Sequence, residues 1–177
     1  MTLRHTHPHG DQGDQGSKPM GQNVGIGTAD VSDAEQILKL QYLCYQGEAA
    51  LYNDYGIEPL TQSLESLRAE FDTHTILVAR LGEEVVGSVR GTIEDGVARI
   101  GKLVVHPRLQ RHMLGTRLLR AIEGKLADAA EYELFTGHRS ENNLRLYERL
   151  GYVSGRIEKV SPRLSLVYLR KTAVLAA

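Results

Sequence analysis

Apolar residues recur along this chain in two rhythms, and the change-overs between them mark out its elements. Val24 to Thr28 reads as a short strand. Ser32 with Glu35 forms a capping box ahead of Ala34, Ile37, Leu38, Leu40 and Leu43, the apolar face of a helix reaching about Leu51. The turn-rich stretch from Tyr52 to Pro59 is a loop, and Thr61 caps a second helix with Leu64, Leu67 and Phe71 on one face. Three strands follow: Thr75 to Arg80, Val85 to Ile93 and Val97 to Val105. They are joined by Gly82-Glu83-Glu84 and by the hairpin signal Glu94-Asp95-Gly96. Past Pro107, a helix from about Leu114 carries Leu118, Leu119, Ile122 and Leu126. A strand from Glu133 to Thr136, a helix from Glu141 to Leu150 closed by Gly151, and the strand pair Val153 to Lys159 and Leu164 to Leu169 complete the run. The order β-α-α-β-β-β-α-β-α-β-β predicts a mixed α/β domain with one sheet.

Composition narrows the setting. A chain of 177 residues, 41% hydrophobic and 24% charged, suits a single soluble domain. Residues 1 to 22 are dominated by Gly, Gln, His and Asp and read as a disordered tail, leaving 23 to 177 as the domain. His5, His7 and His9 lie in that tail without Cys or clustered carboxylates, so no metal site is expected. Gly25 and Gly27 lack the third glycine of a dinucleotide fingerprint. The single cysteine, Cys44, reads as a buried thiol on an apolar helix. No apolar run reaches the ~18 residues of a membrane span and no signal-peptide core is visible, so a cytoplasmic protein is expected.

Lys and Arg total 21 against 22 Asp and Glu, which gives no field to attract nucleic acid or membrane. The balance is uneven along the chain: six basic and fifteen acidic residues precede Val97, and fifteen basic and seven acidic follow. The second half is therefore suited to an anion and the first to something neutral or cationic.

Two stretches carry candidate chemistry. From Leu103 to Leu119 a strand ends at Pro107, a basic loop follows, and a helix begins beside Gly115. Helix-start amides with Arg108, Arg111 and Arg117 around them make an anion site, and Gly115 lets a phosphate approach the backbone. From Phe135 to Tyr152, Leu144, Tyr147 and Leu150 lie three apart, so Tyr147 shares an apolar helix face. It is either core or a phenol aimed into a cleft as a proton donor.

Together these stretches resemble the GCN5-related N-acetyltransferase (GNAT) family, from about Val24 to Lys171. Gln110-Arg111-His112-Met113-Leu114-Gly115 is similar to the family's acetyl-CoA signature, with Gln110 and Gly115 matching and Met113 in a glycine position. A Cβ and thioether there either crowd the pyrophosphate or are tolerated with a negative local φ. Leu146 to Tyr152, Leu-Tyr-Glu-Arg-Leu-Gly-Tyr, resembles the family's late helix. The family's asparagine seven residues before the tyrosine is Ser140 here.

The resemblance implies a mostly antiparallel central sheet flanked by helices, and direct acetyl transfer from acetyl-CoA, as cosubstrate, to an amine in a ternary complex. Leu103, Val104, Val105, Gln110, Arg111, His112, Met113, Leu114, Gly115, Thr116 and Asn143 would bind the coenzyme. A backbone amide near Val104 or Val105 would hold the carbonyl, in a slot where that strand splays from its neighbour. Tyr147 would be the general acid. His138 is the favoured base, with Glu94, Asp95 and Glu133 as other candidates and a water relay also open. The acceptor side would be walled by Tyr45, Glu48, Tyr52, Asp54, Tyr55 and Glu58, of which Tyr52, Asp54 and Tyr55 are the chosen contacts. Two other readings stand beside this one: a coenzyme-binding or regulatory module without turnover, and an acyltransferase for a longer acyl-CoA. The C-terminal strands also offer an edge through which a homodimer could form.

Overall fold

The computed structural model describes residues 23–110 and 113–173, so the expected tail lies outside the described residues. Seven strands form one sheet: β1 (Gly25–Thr28), β2 (Thr75–Leu81), β3 (Glu84–Glu94), β4 (Val97–Val105), β5 (Glu131–Gly137), β6 (Val153–Lys159) and β7 (Ser165–Thr172). Their order is β1-β2-β3-β4-β5-β7-β6. Every neighbouring pair is antiparallel except β4 with β5. The helices are α1 (Ala34–Tyr52), α2 (Glu58–Thr61), α3 (Leu64–Glu70), α4 (Leu114–Lys125) and α5 (Glu141–Arg149). No helix among the described residues is long and apolar enough to cross a membrane.

Two helix starts differ from the sequence expectation. Ahead of α1 the capping box is Asp30 with Asp33, around a 3-10 turn, in place of Ser32 with Glu35. Asp30 accepts the Ser32 amide at 3.0 Å, and Asp33 accepts the Asp30 amide at 2.8 Å. The Ser32 hydroxyl donates to Asp30 at 2.6 Å. Thr61 ends the single turn of α2. Gln62 is extended there (φ −60°, ψ 131°), which moves the cap of α3 on to Ser63, whose hydroxyl accepts the Ser66 amide at 3.1 Å. The hairpin between β3 and β4 turns at Asp95 and Gly96, both with positive φ, as a tight primed turn requires.

The middle of the sheet is buried on both faces. On one, α4 lays Leu114, Leu118, Leu119 and Ile122 over Leu77, Ala98, Ile100 and Leu134, with Tyr147 from α5. On the other, α1 and α3 lay Ile37, Leu40 and Leu67 over Ile76, Val78, Val85 and Val104.

Two irregularities in β4 position the site. Against β3, Ser88 pairs with Val104 but Arg90 with Gly101, so β4 carries one residue too many. This bulge holds Lys102 at φ 52°. Against β5, β4 pairs only at Val97, Ala98 and Arg99. Beyond those residues the two strands part and leave an opening in the middle of the sheet.

Candidate functional site

One end of the opening is the start of α4. Its N-cap, Met113, has no side-chain capping bond, and the Arg117 amide donates to the Met113 carbonyl at 3.1 Å as the helix begins. The amides of Leu114, Gly115 and Thr116 precede that first turn of bonding and point along the axis of a twelve-residue helix. Met113 lies at φ 57°, ψ 18°, so the negative φ that would accommodate its side chain is not found. The residue takes a left-handed conformation in which a Cβ is strained, and its side chain is 69% exposed. Among the described residues, a Cβ built on Gly115 would meet only Leu146 at 3.6 Å and Val105 at 4.0 Å, ordinary contacts. Packing against the described residues therefore does not demand glycine there, whereas close approach of a ligand to the backbone would.

Of the arginines expected around this end, Arg108 is paired with Glu84 at 2.7 Å and Arg117 donates to the Val24 carbonyl at 2.8 Å. Both are tied to the protein's own framework. Arg111 and His112 lie outside the described residues.

The wall of the opening is the end of β4. His106 donates to the Val86 carbonyl at 2.7 Å, in step with the Ser88–Val104 pair. The backbone of Val104 thus faces β3, and that of Val105, one residue on, faces the opening. The Val105 carbonyl accepts the Cys44 thiol at 3.3 Å and the exposed Gln110 amide at 3.4 Å. Burial pushes the half-buried Cys44 thiol up to about 11, which keeps it protonated at neutral pH. The side chain of Val104 is buried on the α1 side, while Leu103 and Val105 pack toward α4.

From the far side, α5 supplies Tyr147, 6% exposed, with its ring 6.2 Å from that of Tyr152. Burial, and then the charge of Glu48, hold its phenol above the ordinary range, so it stays protonated. Tyr45 on α1 is raised by burial and by Tyr147, against the attraction of Arg90. Asn143 donates to Thr136 Oγ1 at 3.3 Å.

The acceptor side departs most from the sequence reading. Tyr52 is buried, and its hydroxyl is bonded to Ser140 Oγ at 2.8 Å and to the Arg139 amide at 2.9 Å. Its ring lies over Gly137, where any Cβ would collide with it. Tyr52 therefore fastens α1 to the β5–α5 connection, and its hydroxyl is not presented to a ligand. Asp54 accepts the Gly56 amide at 2.9 Å in its own loop, and Tyr55 is 58% exposed. His138 is exposed beside the Tyr52 ring, and its Nδ1 accepts the Ser165 amide at 3.0 Å. Glu94 and Glu133, the acidic alternatives, both pair with Arg99. Asp95 sits in the hairpin turn.

Several polar contacts escaped the sequence reading. Arg90, 3% exposed, donates to Gln41 at 3.1 Å and Gln62 at 2.7 Å and pairs with Glu70 at 3.0 Å. Gln41 in turn donates to Gln62 at 3.0 Å and to the Pro59 carbonyl at 2.8 Å. At the bulge, Lys102 pairs with Glu58. Ser140 donates to Glu48 at 2.6 Å across 92 positions of sequence. Arg90 would have been visible only as a charge inside an otherwise apolar strand.

An open sheet, a helix start free of a side-chain cap and a buried phenol between them match a known family. The model of the acetyltransferase (GNAT) family fits residues 34–152, and the chain belongs to that family. The chain is similar in structure to the ribosomal-protein-S18-alanine N-acetyltransferase of Escherichia coli, with 14% identity and a TM-score of 0.69 over 87% of this chain and 96% of that one. It is similar to yncA of Salmonella typhimurium, solved with its cofactor acetyl-CoA, with 19% identity and a TM-score of 0.70 over 88% and 96%. A third similar structure is the paiA N-acetyltransferase of Thermoplasma acidophilum in complex with coenzyme A, with 16% identity and a TM-score of 0.68 over 82% and 97%. Comparison with curated protein sequences gave no match.

Proposed function

We propose that this protein transfers an acetyl group from acetyl-CoA to a primary amine of a small molecule or peptide, by direct attack within a ternary complex. The observation that carries this reading is the parting of β4 from β5 after three paired residues, with uncapped helix amides at one end and the protonated phenol of Tyr147 packed into the same core as that helix. The amides of Leu114, Gly115 and Thr116 suit a pyrophosphate, with Gln110 beside them. Met113 adjoins them, the resemblance adds Arg111 and His112, and Asn143 of α5 would join the coenzyme contacts. Leu103 and Val104 line the strand, and the Val105 amide faces the space where a carbonyl oxygen would lie. Bound acetyl-CoA supplies an acyl group already activated as a thioester, so positioning supplies much of the rate. Tyr147 gives its proton to the departing sulfur. Asp54 and Tyr55 border the acceptor, and Tyr52 holds that wall in place.

Thermal melting with acetyl-CoA tests the binding half. A hundredfold excess over Kd should stabilise the fold by about 2.7 kcal/mol, and no shift at millimolar ligand would overturn the reading. Tyr147→Phe should lower kcat by about a hundredfold with the KM for acetyl-CoA unchanged, and unchanged turnover would remove Tyr147 as the acid. The left-handed Met113 favours one rival, a coenzyme-binding module without turnover. Binding of acetyl-CoA with no thiol release across an amine panel would establish it.

A further inference from the structure

Among the described residues, most carboxylates that are not exposed hold a cation. Asp33 pairs with Arg80, Glu70 with Arg90, Glu123 with Lys171, Glu131 with Arg170, and Glu133 with both Arg99 and Arg170. Asp54 bends inward to its own loop amide. Glu48 differs from all of these. It is half-buried near the end of α1, no ion pair among the described residues includes it, and the one hydrogen bond it receives there comes from Ser140. A carboxylate removed from water without a cation is costly, and an incoming cation relieves that cost. The C-terminal end of α1 adds its own negative potential, and its last turn contains no basic residue.

We propose that Glu48 is the catalytic base of the acetyl transfer: it receives the acceptor's ammonium as an ion pair and takes its proton. This rests on the function proposed above. The carboxylate is held for the task by a directed run of hydrogen bonds. The Arg139 amide can only donate, so the Tyr52 oxygen accepts it at 2.9 Å and passes its own proton to Ser140 at 2.8 Å. The Ser140 proton then goes to Glu48 Oε2 at 2.6 Å, and no donor among the described residues engages the second oxygen. Tyr147, the proposed acid, feels the charge of this carboxylate, which adds to burial in keeping its phenol protonated. His138 instead turns its Nδ1 to the Ser165 backbone, 3.0 Å from the amide and 3.1 Å from the carbonyl.

Protons and bonds balance. One ammonium proton passes to Glu48, and the neutral amine forms a C–N bond as the C–S bond breaks. The sulfur takes the phenolic proton of Tyr147, and the second proton on nitrogen restores the phenol. Glu48 then releases its proton to water.

The titratable and charged groups around Glu48 are Tyr45 and Tyr52 on its own helix, Tyr147 from α5, and His138 and Arg139 beside Ser140 in sequence. Arg90 and Glu58 act on Tyr45 from the sheet and α2. The test is kcat/KM from about pH 6 to about pH 10 on the full chain, with a primary amine that the wild type acetylates. Glu48→Gln, Glu48→Asp and Ser140→Ala are compared, with acetyl-CoA affinity measured by calorimetry. Glu48→Gln should lose about a hundredfold or more in kcat/KM at neutral pH, with coenzyme affinity unchanged. Its profile should climb in proportion to the free amine toward an amine pKa of about 10, where the wild type levels off earlier. Glu48→Asp should recover part of the loss. Ser140→Ala, which keeps the carboxylate, should show a smaller loss and serves if Glu48→Gln melts early. An unimpaired Glu48→Gln with the wild-type profile overturns this inference alone. A wild type that binds acetyl-CoA and turns over no amine overturns the proposed reaction, and this inference with it.

Discussion

The two flanks of the β4–β5 opening are made of different materials. At the start of α4, the candidate contacts are main-chain amides, with no side-chain cap in the way. Beneath α1 to α3, the equivalent work falls to side chains: Arg90, Gln41, Gln62 and Glu70 bonded to one another, and Tyr52, Ser140 and Glu48 in a line. A site built from backbone amides depends on few particular side chains. A site built from interlocked side chains fails when one member is removed, because its buried partners are left unsatisfied.

The sharpest way to break this comparison is Arg90→Ala. It strands Glu70, Gln41 and Gln62 in the core and should cost about 3–5 kcal/mol in urea unfolding. Acetyl-CoA affinity of the remaining folded protein should be unchanged. A loss under about 1 kcal/mol would mean that the network is less interdependent than its bonding suggests. Next is Gly115→Glu, which places a charge against the α4 amides. It should weaken acetyl-CoA binding by about a hundredfold in calorimetry with little effect on melting, and unchanged binding would remove the helix start as the anion site. The smallest effect expected is that of Met113→Gly. Freed of a left-handed side chain costing about 1 kcal/mol, the fold should melt a few degrees higher. No gain would mean that the strain is relieved elsewhere.

The same division explains what could be read in advance. Strands β4 and β6 and the start of α4 fall where the residue pattern placed them, because alternation and a helix start are local properties. The α4 loop could be proposed as an anion site for the same reason: its candidate residues, Gln110 to Gly115, are consecutive. The capping of α1 was misread because Asp30–Asp33 and Ser32–Glu35 both fit one template two residues apart, and only the bonding distinguishes them. Tyr52 looked like a ligand contact because its neighbours are polar. What turns it inward is the missing Cβ of Gly137, 85 positions away, and no local pattern reports that. Glu48 and Ser140 are equally remote from one another in sequence. Lys102 gave no signal, since a bulge exists only relative to a partner strand.

That bulge sets the phase of β4. A strand repeats every two residues, so one additional residue turns everything after it upside down. Ahead of Lys102, even-numbered Ala98 and Ile100 face the α4 core; behind it, even-numbered Val104 faces the α1 core. Without this half-period shift, Leu103 and Val105 would face α1 and Val104 would face α4. The inversion also turns the backbone of Val105 away from β3, so a single inserted position supplies both the packing of the two layers and the open edge between them.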